Sequence, residues 1–125
     1  MKLFPDAPYE YARQVNGLIF AAGACPLDED GHTVAPGDRE AQAQRCVDNL
    51  LAALAEQGAS AAHLVKTTIY VVPRTREDLV TVWEVVEARI GRVPSTLLGV
   101  AMLGYPDQLV EIEAVAAAPR IQTET

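Results

Sequence analysis

The chain has 125 residues, half of them apolar and 22% charged, with a formal net charge of −7 and a pI near 4.7. That length suits one domain with a core of its own. The acidic balance argues against nucleic acid or an anionic membrane as partner, because both would repel it, and no stretch approaches the roughly 18 consecutive apolar residues of a membrane helix.

The first residues, 1–7, show no periodicity. Residues 9–15 read as a strand that turns at Asn16-Gly17, a dipeptide that tolerates positive φ at both positions, into a second strand over 18–24. That second strand is nearly all small or apolar, as expected of a strand covered on both faces. It ends at Pro26. The acidic loop 27–32 reads as a solvated turn in which Gly31 supplies the left-handed residue, since the oxygen spacing and terminal Glu of an EF-hand are missing.

A helix is predicted over 38–57, with Asp38 capping its start and Gly58 stopping it. Its apolar stripe is Ala43, Cys46, Val47, Leu50, Leu51 and Leu54, and Arg39, Glu40, Gln42 and Gln44 are assigned to the solvated side. Residues 63–72 form the clearest strand, with Val65, Thr67, Ile69 and Val71 on one face and Lys66, Thr68, Tyr70 and Val72 on the other. A second helix over 77–90 carries Leu79, Val82, Trp83, Val86 and Ile90 toward the core and closes at Gly91. Trp83 is assigned to packing rather than ligand stacking.

The stretch 92–118 reads as two strands joined by a Gly/Pro turn. In the second, 109–118, Val110, Ile112, Ala114 and Ala116 share one face, and Glu111 and Glu113 share the other. Two acids on a strand face imply either solvent or a specific partner for the carboxylates. A short polar tail, 122–125, follows.

Two cysteines, Cys25 and Cys46, form no CxxC and are expected to be reduced and buried; Cys46 falls on the first helix's core stripe, and Cys25 lies in the core or lines a pocket. His32 and His63 lack the spacing of a zinc site, so no metal is expected. The N-terminus shows no charged region followed by a long apolar run, which places the chain in the cytoplasm.

The element order β-β-α-β-α-β-β implies a single mixed sheet, α+β, with both helices on one face. The other face, half apolar, calls for another subunit.

The succession of Pro8-Tyr9, the run AAGACPLDEDG, the helix QRCVDNLLAALAEQGA, the strand LVKTTIYVV and the terminal LVEIEAVAA resembles the reactive intermediate deaminase family, also called Rid or YjgF. The resemblance covers nearly the whole chain. It implies a chorismate-mutase-like fold and a homotrimer built around an inner barrel, with clefts for a small-molecule ligand between subunits and no cofactor. It also implies hydrolysis of reactive enamines or imines. Carried over by position, the family's glutamate falls on Glu111, its N-terminal tyrosine on Tyr9, and its backbone corner on Gly23 and Ala24. Ser95 stands where the family places the arginine that pairs with a substrate carboxylate, and Thr96 follows it. Two readings are carried forward. One is an imine, enamine or amide hydrolase in which Glu111 handles water, Ser95 and Thr96 hydrogen-bond the ligand and Tyr9 walls the pocket. The other is a trimeric small-ligand binder or stress-associated protein without the chemistry.

Overall fold

Asn16 and Gly17 both sit at positive φ, 50° and 80°, and turn β1 (Ala12–Val15) back onto β2 (Leu18–Ala24). The computed structural model describes residues 2–119, so the polar tail lies outside the described residues. The remaining elements are α1 (Arg39–Glu56), a 3₁₀ turn (Ala61–His63), β3 (Leu64–Val71), α2 (Arg76–Ile90), β4 (Ser95–Gly99) and β5 (Val110–Ala117). β2, α1, β3, α2 and β5 follow their predicted spans to within a few residues, whereas β1 starts at Ala12. Tyr9 and Tyr11 thereby lie outside the ladder, their rings packed edge to face at 5.7 Å.

The five strands form one mixed sheet in the order β1-β2-β5-β3-β4. All pairs are antiparallel except β3 with β4, which the α2 crossover makes parallel. The two strands of 92–118 are therefore not neighbours in the sheet: β3 lies between β4 and β5. The connector after β4 straddles the end of β3, with Val100 N–H donating to Val71 O and Val72 N–H to Leu109 O, each at 2.8 Å.

Both helices cover one face of the sheet, α1 over β2 and β5, α2 over β3 and β4. Ile19, Leu50, Leu54, Ile69, Ile112, Val82 and Val110 are fully buried there, and Cys46 is buried among them with its thiol on Val110 O at 3.4 Å. Trp83 packs half-buried against this core. The opposite face is open in a single copy. Phe20 remains 49% exposed and Leu18 37%, so the expectation that β2 is covered on both faces does not hold within one chain. Val65 is exposed too, because the β3–β5 register shifts between Leu64 and Lys66 and takes it out of the alternation. Among the described residues no helix is long and apolar enough to cross a membrane.

Two residues assigned to solvent are buried instead. Arg39 donates through Nε to Val72 O at 2.8 Å and lies 3.5 Å from the Asp78 carboxylate. Gln42 reaches across to the connector before β5. Arg39 stands four residues before Ala43 and Gln42 four before Cys46, so the helix turns them inward whatever their polarity.

Asp78 also accepts from Arg74 N–H at 2.8 Å and from the Arg74 guanidinium at 3.2 Å. The Arg74 hydrogen bonds hold its carboxyl well below the usual carboxylate range. A depressed folded-state value stabilises the protein above the unfolded value of 3.8 and is lost as pH falls through the folded one. The midpoint of thermal unfolding should drop as pH falls below about 4, and Asp78→Asn should flatten that part of the profile. An unchanged acid limb in the variant would remove Asp78 as its source.

Candidate functional site

Glu111 is held on the open face by alternation: its neighbours Val110 and Ile112 are fully buried on the helix side of the central strand β5. Next to it, the β2–β5 register shifts between Ala21 and Ala24, which sets Gly23 against the Glu111 side chain. A Cβ at Gly23 would lie 2.2 Å from Glu111 Oε2 and 2.6 Å from its carboxyl carbon. Only a glycine admits the carboxylate in this position.

Two side chains fix the other oxygen. Cys25 Sγ donates to Glu111 Oε1 at 3.3 Å, and Gln108 Nε2 donates to the same atom at 3.0 Å. Gln108 is itself fully committed, with Nε2 also on Val110 O at 3.1 Å and Oε1 accepting from Tyr105 N–H at 3.0 Å. The Tyr105 and Tyr9 hydroxyls meet at 3.1 Å. Together with Ala22, Gly23 and Gly104 these residues line an open cleft of about 310 Å³, within the range of small-molecule sites.

Burial, and then the adjacent Glu111 carboxylate, push the Cys25 thiol up to about 12. Burial of its phenol and the bond to Tyr105 raise Tyr9 as well. Both groups therefore keep their protons at neutral pH, and Cys25 acts as a hydrogen-bond donor rather than a thiolate. Behind the cleft, Phe4, Tyr11, Asn49 and Cys25 border a cavity of about 10 Å³, room for a single water. Asn49 Nδ2 donates to Cys25 O at 2.8 Å and Leu27 O at 2.9 Å, while its buried Oδ1 has no protein partner among the described residues.

The structure brings Tyr9, Gly23 and Glu111 together. Ala24, the next residue, is buried and borders the small inner cavity instead. Ser95 and Thr96 lie on β4, separated from β5 by β3. Ser95 pairs with the fully buried Thr67, their hydroxyls 2.6 Å apart, and donates to Val93 O at 2.9 Å, so it faces the helices and not Glu111. Thr96 pairs with Thr68 on the open face, where Lys66 Nζ comes within 3.5 Å of its hydroxyl. The other acid of β5, Glu113, accepts from Tyr70 OH at 2.5 Å, and this bond pushes the phenol up to about 12.

Tyr105 and Gln108 were not singled out by the sequence pattern, and Cys25 only as one of two options. Elsewhere, ligand atoms of Asp28, Asp30 and His32 lie within 4.8 Å of one another at the exposed turn. Asp28 Oδ1 already accepts the backbone N–H groups of Asp30 and His32, which accounts for its place there as a turn residue.

Residues 2–118 match the family model described as endoribonuclease L-PSP. A RutC family protein of Pyrococcus abyssi is 34% identical over 113 residues, 90% of this chain and 87% of the relative. The RutC family protein UK114 of Drosophila melanogaster is 30% identical over 123 residues, 97% and 87% of the two chains. Among solved structures, the YjgF gene product of E. coli superposes with a TM-score of 0.79 at 28% identity, covering 94% of this chain and 93% of that one. A YjgF/UK114 family member of Mycobacterium tuberculosis gives a TM-score of 0.73 at 31% identity, with 89% and 87% covered.

Proposed function

The chain belongs to the endoribonuclease L-PSP family, the Rid/YjgF family, and from that premise we propose that it is a cofactor-independent hydrolase of small imines or enamines. The observation that carries this reading is Glu111. Its Oε1 is pinned by Cys25 and Gln108, while Oε2 lies over Gly23 at an open cleft. A carboxylate with one oxygen anchored and the other presented to a ligand is arranged to orient and deprotonate water.

In the hydrolysis of an iminium ion, Glu111 takes a proton from water as the water oxygen bonds to the imine carbon. The C=N π pair moves to nitrogen and gives a neutral carbinolamine. The protonated carboxyl then returns its proton to that nitrogen, the C–N bond breaks, and the hydroxyl oxygen's lone pair forms the carbonyl. Loss of the hydroxyl proton to the departing ammonia completes the balance: iminium and water become a carbonyl compound and ammonium.

The open sheet face belongs to the same proposal. Leu18, Phe20 and Leu98 are exposed on it, and homotrimer formation would cover them. A cytoplasmic location fits the two free cysteines. Ribonucleolytic action, which the family's description suggests, is disfavoured by the net charge of −7 and by a cleft whose one ionised residue is an acid, because a polyphosphate chain binds through cations.

The test generates imines in place with flavin oxidases, one acting on simple amines and one on amino acids, while semicarbazide competes for the imine. Faster carbonyl release and less semicarbazone with either oxidase is the expected result. No acceleration with both would overturn the hydrolase reading and leave ligand binding without catalysis.

A further inference from the structure

We propose that the cleft selects ligands with a cationic nitrogen and no carboxylate, simple iminium ions and the ammonium ions related to them, held on Glu111 Oε2. The proposal rests on the cleft assigned above as the reactive site and names the class of molecule it takes.

The first support is the charge of the wall. Glu111 is the single formally charged residue lining the cleft. The other titratable groups there, the phenols and the Cys25 thiol, carry no charge when protonated, so the wall offers an anion no counter-charge. A ligand carboxylate brought against Glu111 would meet like charge in a partly enclosed space, where repulsion is screened less than in water.

The second support is the distribution of donors and acceptors. The Gln108 amide spends both of its hydrogens, on Glu111 Oε1 and Val110 O. The Cys25 thiol is spent on Glu111 Oε1, and the Tyr105 N–H on Gln108 Oε1. The two phenols satisfy one another with one shared proton, which leaves a single hydroxyl donor between them. Among the side chains, what remains presented is mainly acceptor: Glu111 Oε2, which accepts no hydrogen bond among the described residues, and the phenol oxygens. Such a surface fits a ligand that brings N–H donors.

The third support is that no Lys or Arg side chain among the described residues lines the cleft. Arg39 and Arg74 are committed to Asp78, Arg89 to Asp48 and Gln44, and Arg13 to Glu10. Lys66 stands on the open face beside Thr96, at a separate hollow bordered by Phe20 and Glu113. Of the two edge strands, β4 (Ser95–Gly99) reads STLLG and carries no charge, while Arg92 stands exposed three residues before it.

Heteronuclear NMR titration of the intact protein with three rings of similar size tests the proposal: pyrrolidine as its ammonium ion, proline, which adds a carboxylate to the same ring, and cyclopentanol, which removes the charge. Pyrrolidinium should shift the backbone amides of Gly23, Gly104 and Tyr105 and bind at least about tenfold more tightly than proline, with cyclopentanol weaker than pyrrolidinium. Glu111→Gln should bring the pyrrolidinium-to-cyclopentanol ratio close to 1. Gly23→Ala, which displaces the carboxylate without neutralising it, should reduce the same ratio.

Proline binding as tightly as pyrrolidinium would overturn the proposal, as would pyrrolidinium failing to bind or shifting residues elsewhere. The kinetic arm separates this from the hydrolase reading. Hydrolysis confined to amino-acid-derived imines would defeat the selectivity and leave the hydrolase standing. Glu111-dependent pyrrolidinium binding with neither imine hydrolysed would defeat the hydrolase and leave the selectivity standing.

Discussion

Replacing Gln42 by alanine should lower the free energy of unfolding by about 3 kcal/mol, read as a shift of the urea midpoint with an unchanged slope. Gln42 is fully buried, and its amide ties the turn before α1 to the connector before β5. Nε2 donates to Asp107 O at 3.0 Å and Ala35 O at 3.3 Å, and Oε1 accepts from Leu109 N–H at 2.8 Å. Ala35 and Asp107 are two of the three non-glycine residues at positive φ among the described residues, 45° and 61°, a backbone state that L side chains adopt reluctantly. The amide therefore holds two strained turns in place. Removing it leaves Asp107 O and Leu109 N–H short of a partner, while Ala35 O keeps the Asp38 N–H at 3.0 Å; each orphaned group is worth about 1–3 kcal/mol when water cannot replace it, and water entering the vacated space recovers part of that. A loss under about 1 kcal/mol would show that solvent replaces the amide fully. Since the connector it holds continues into Gln108 and Glu111, activity should fall in the same variant.

Gln42 also shows where the sequence was readable and where it was not. The apolar stripe of α1 was evident from Ala43, Cys46, Leu50 and Leu54, and the capping Asp38, whose side chain accepts from Ala41 N–H at 2.9 Å, marked the start. Periodicity sorts residues by polarity, so a glutamine on the inward face was assigned outward although its spacing from Cys46 placed it inside. The strands were legible for a parallel reason: in β5 the alternation of Val110, Ile112, Ala114 and Ala116 is strict, and all four are buried. Strand order was less accessible. Nothing in the residues of β4 and β5 says that β3 separates them; that follows from the crossover through α2.

The candidate site divides in the same way. Tyr9, Gly23 and Glu111 came from position within a recognised pattern, and they meet in the fold. Cys25, Tyr105 and Gln108 depend on a bulge in β2 and on an irregular connector, which have no period to detect. Ser95 and Thr96 show the sensitivity of strand reasoning to a single residue: one step along β4 exchanges the helix side for the open face, so the serine is turned inward and the threonine outward.

Glu111→Gln should reduce kcat/KM for any imine the protein hydrolyses by about 10²-fold or more, the usual range for loss of a positioned base. Glutamine keeps the size of the side chain but cannot take a proton from water. The sharper experiment is Gly23→Ala, which leaves Glu111 chemically intact. The new methyl would stand 2.2 Å from Oε2, 2.6 Å from the carboxyl carbon and 2.8 Å from Cγ, all atoms of one flexible side chain. The collision is relieved by swinging the carboxylate aside rather than by moving β2, and Gly23 is not at positive φ. Stability should consequently change by less than about 1 kcal/mol, helped by the smaller entropy of the unfolded alanine chain. Activity should fall nearly as far as in Glu111→Gln, because proton transfer fails when the base leaves hydrogen-bonding reach of the water. A Gly23→Ala protein that keeps both its stability and its activity would show that the carboxylate's position over Gly23 is unrelated to the chemistry. One that loses both would place the role of Gly23 in the strand and not in the cleft.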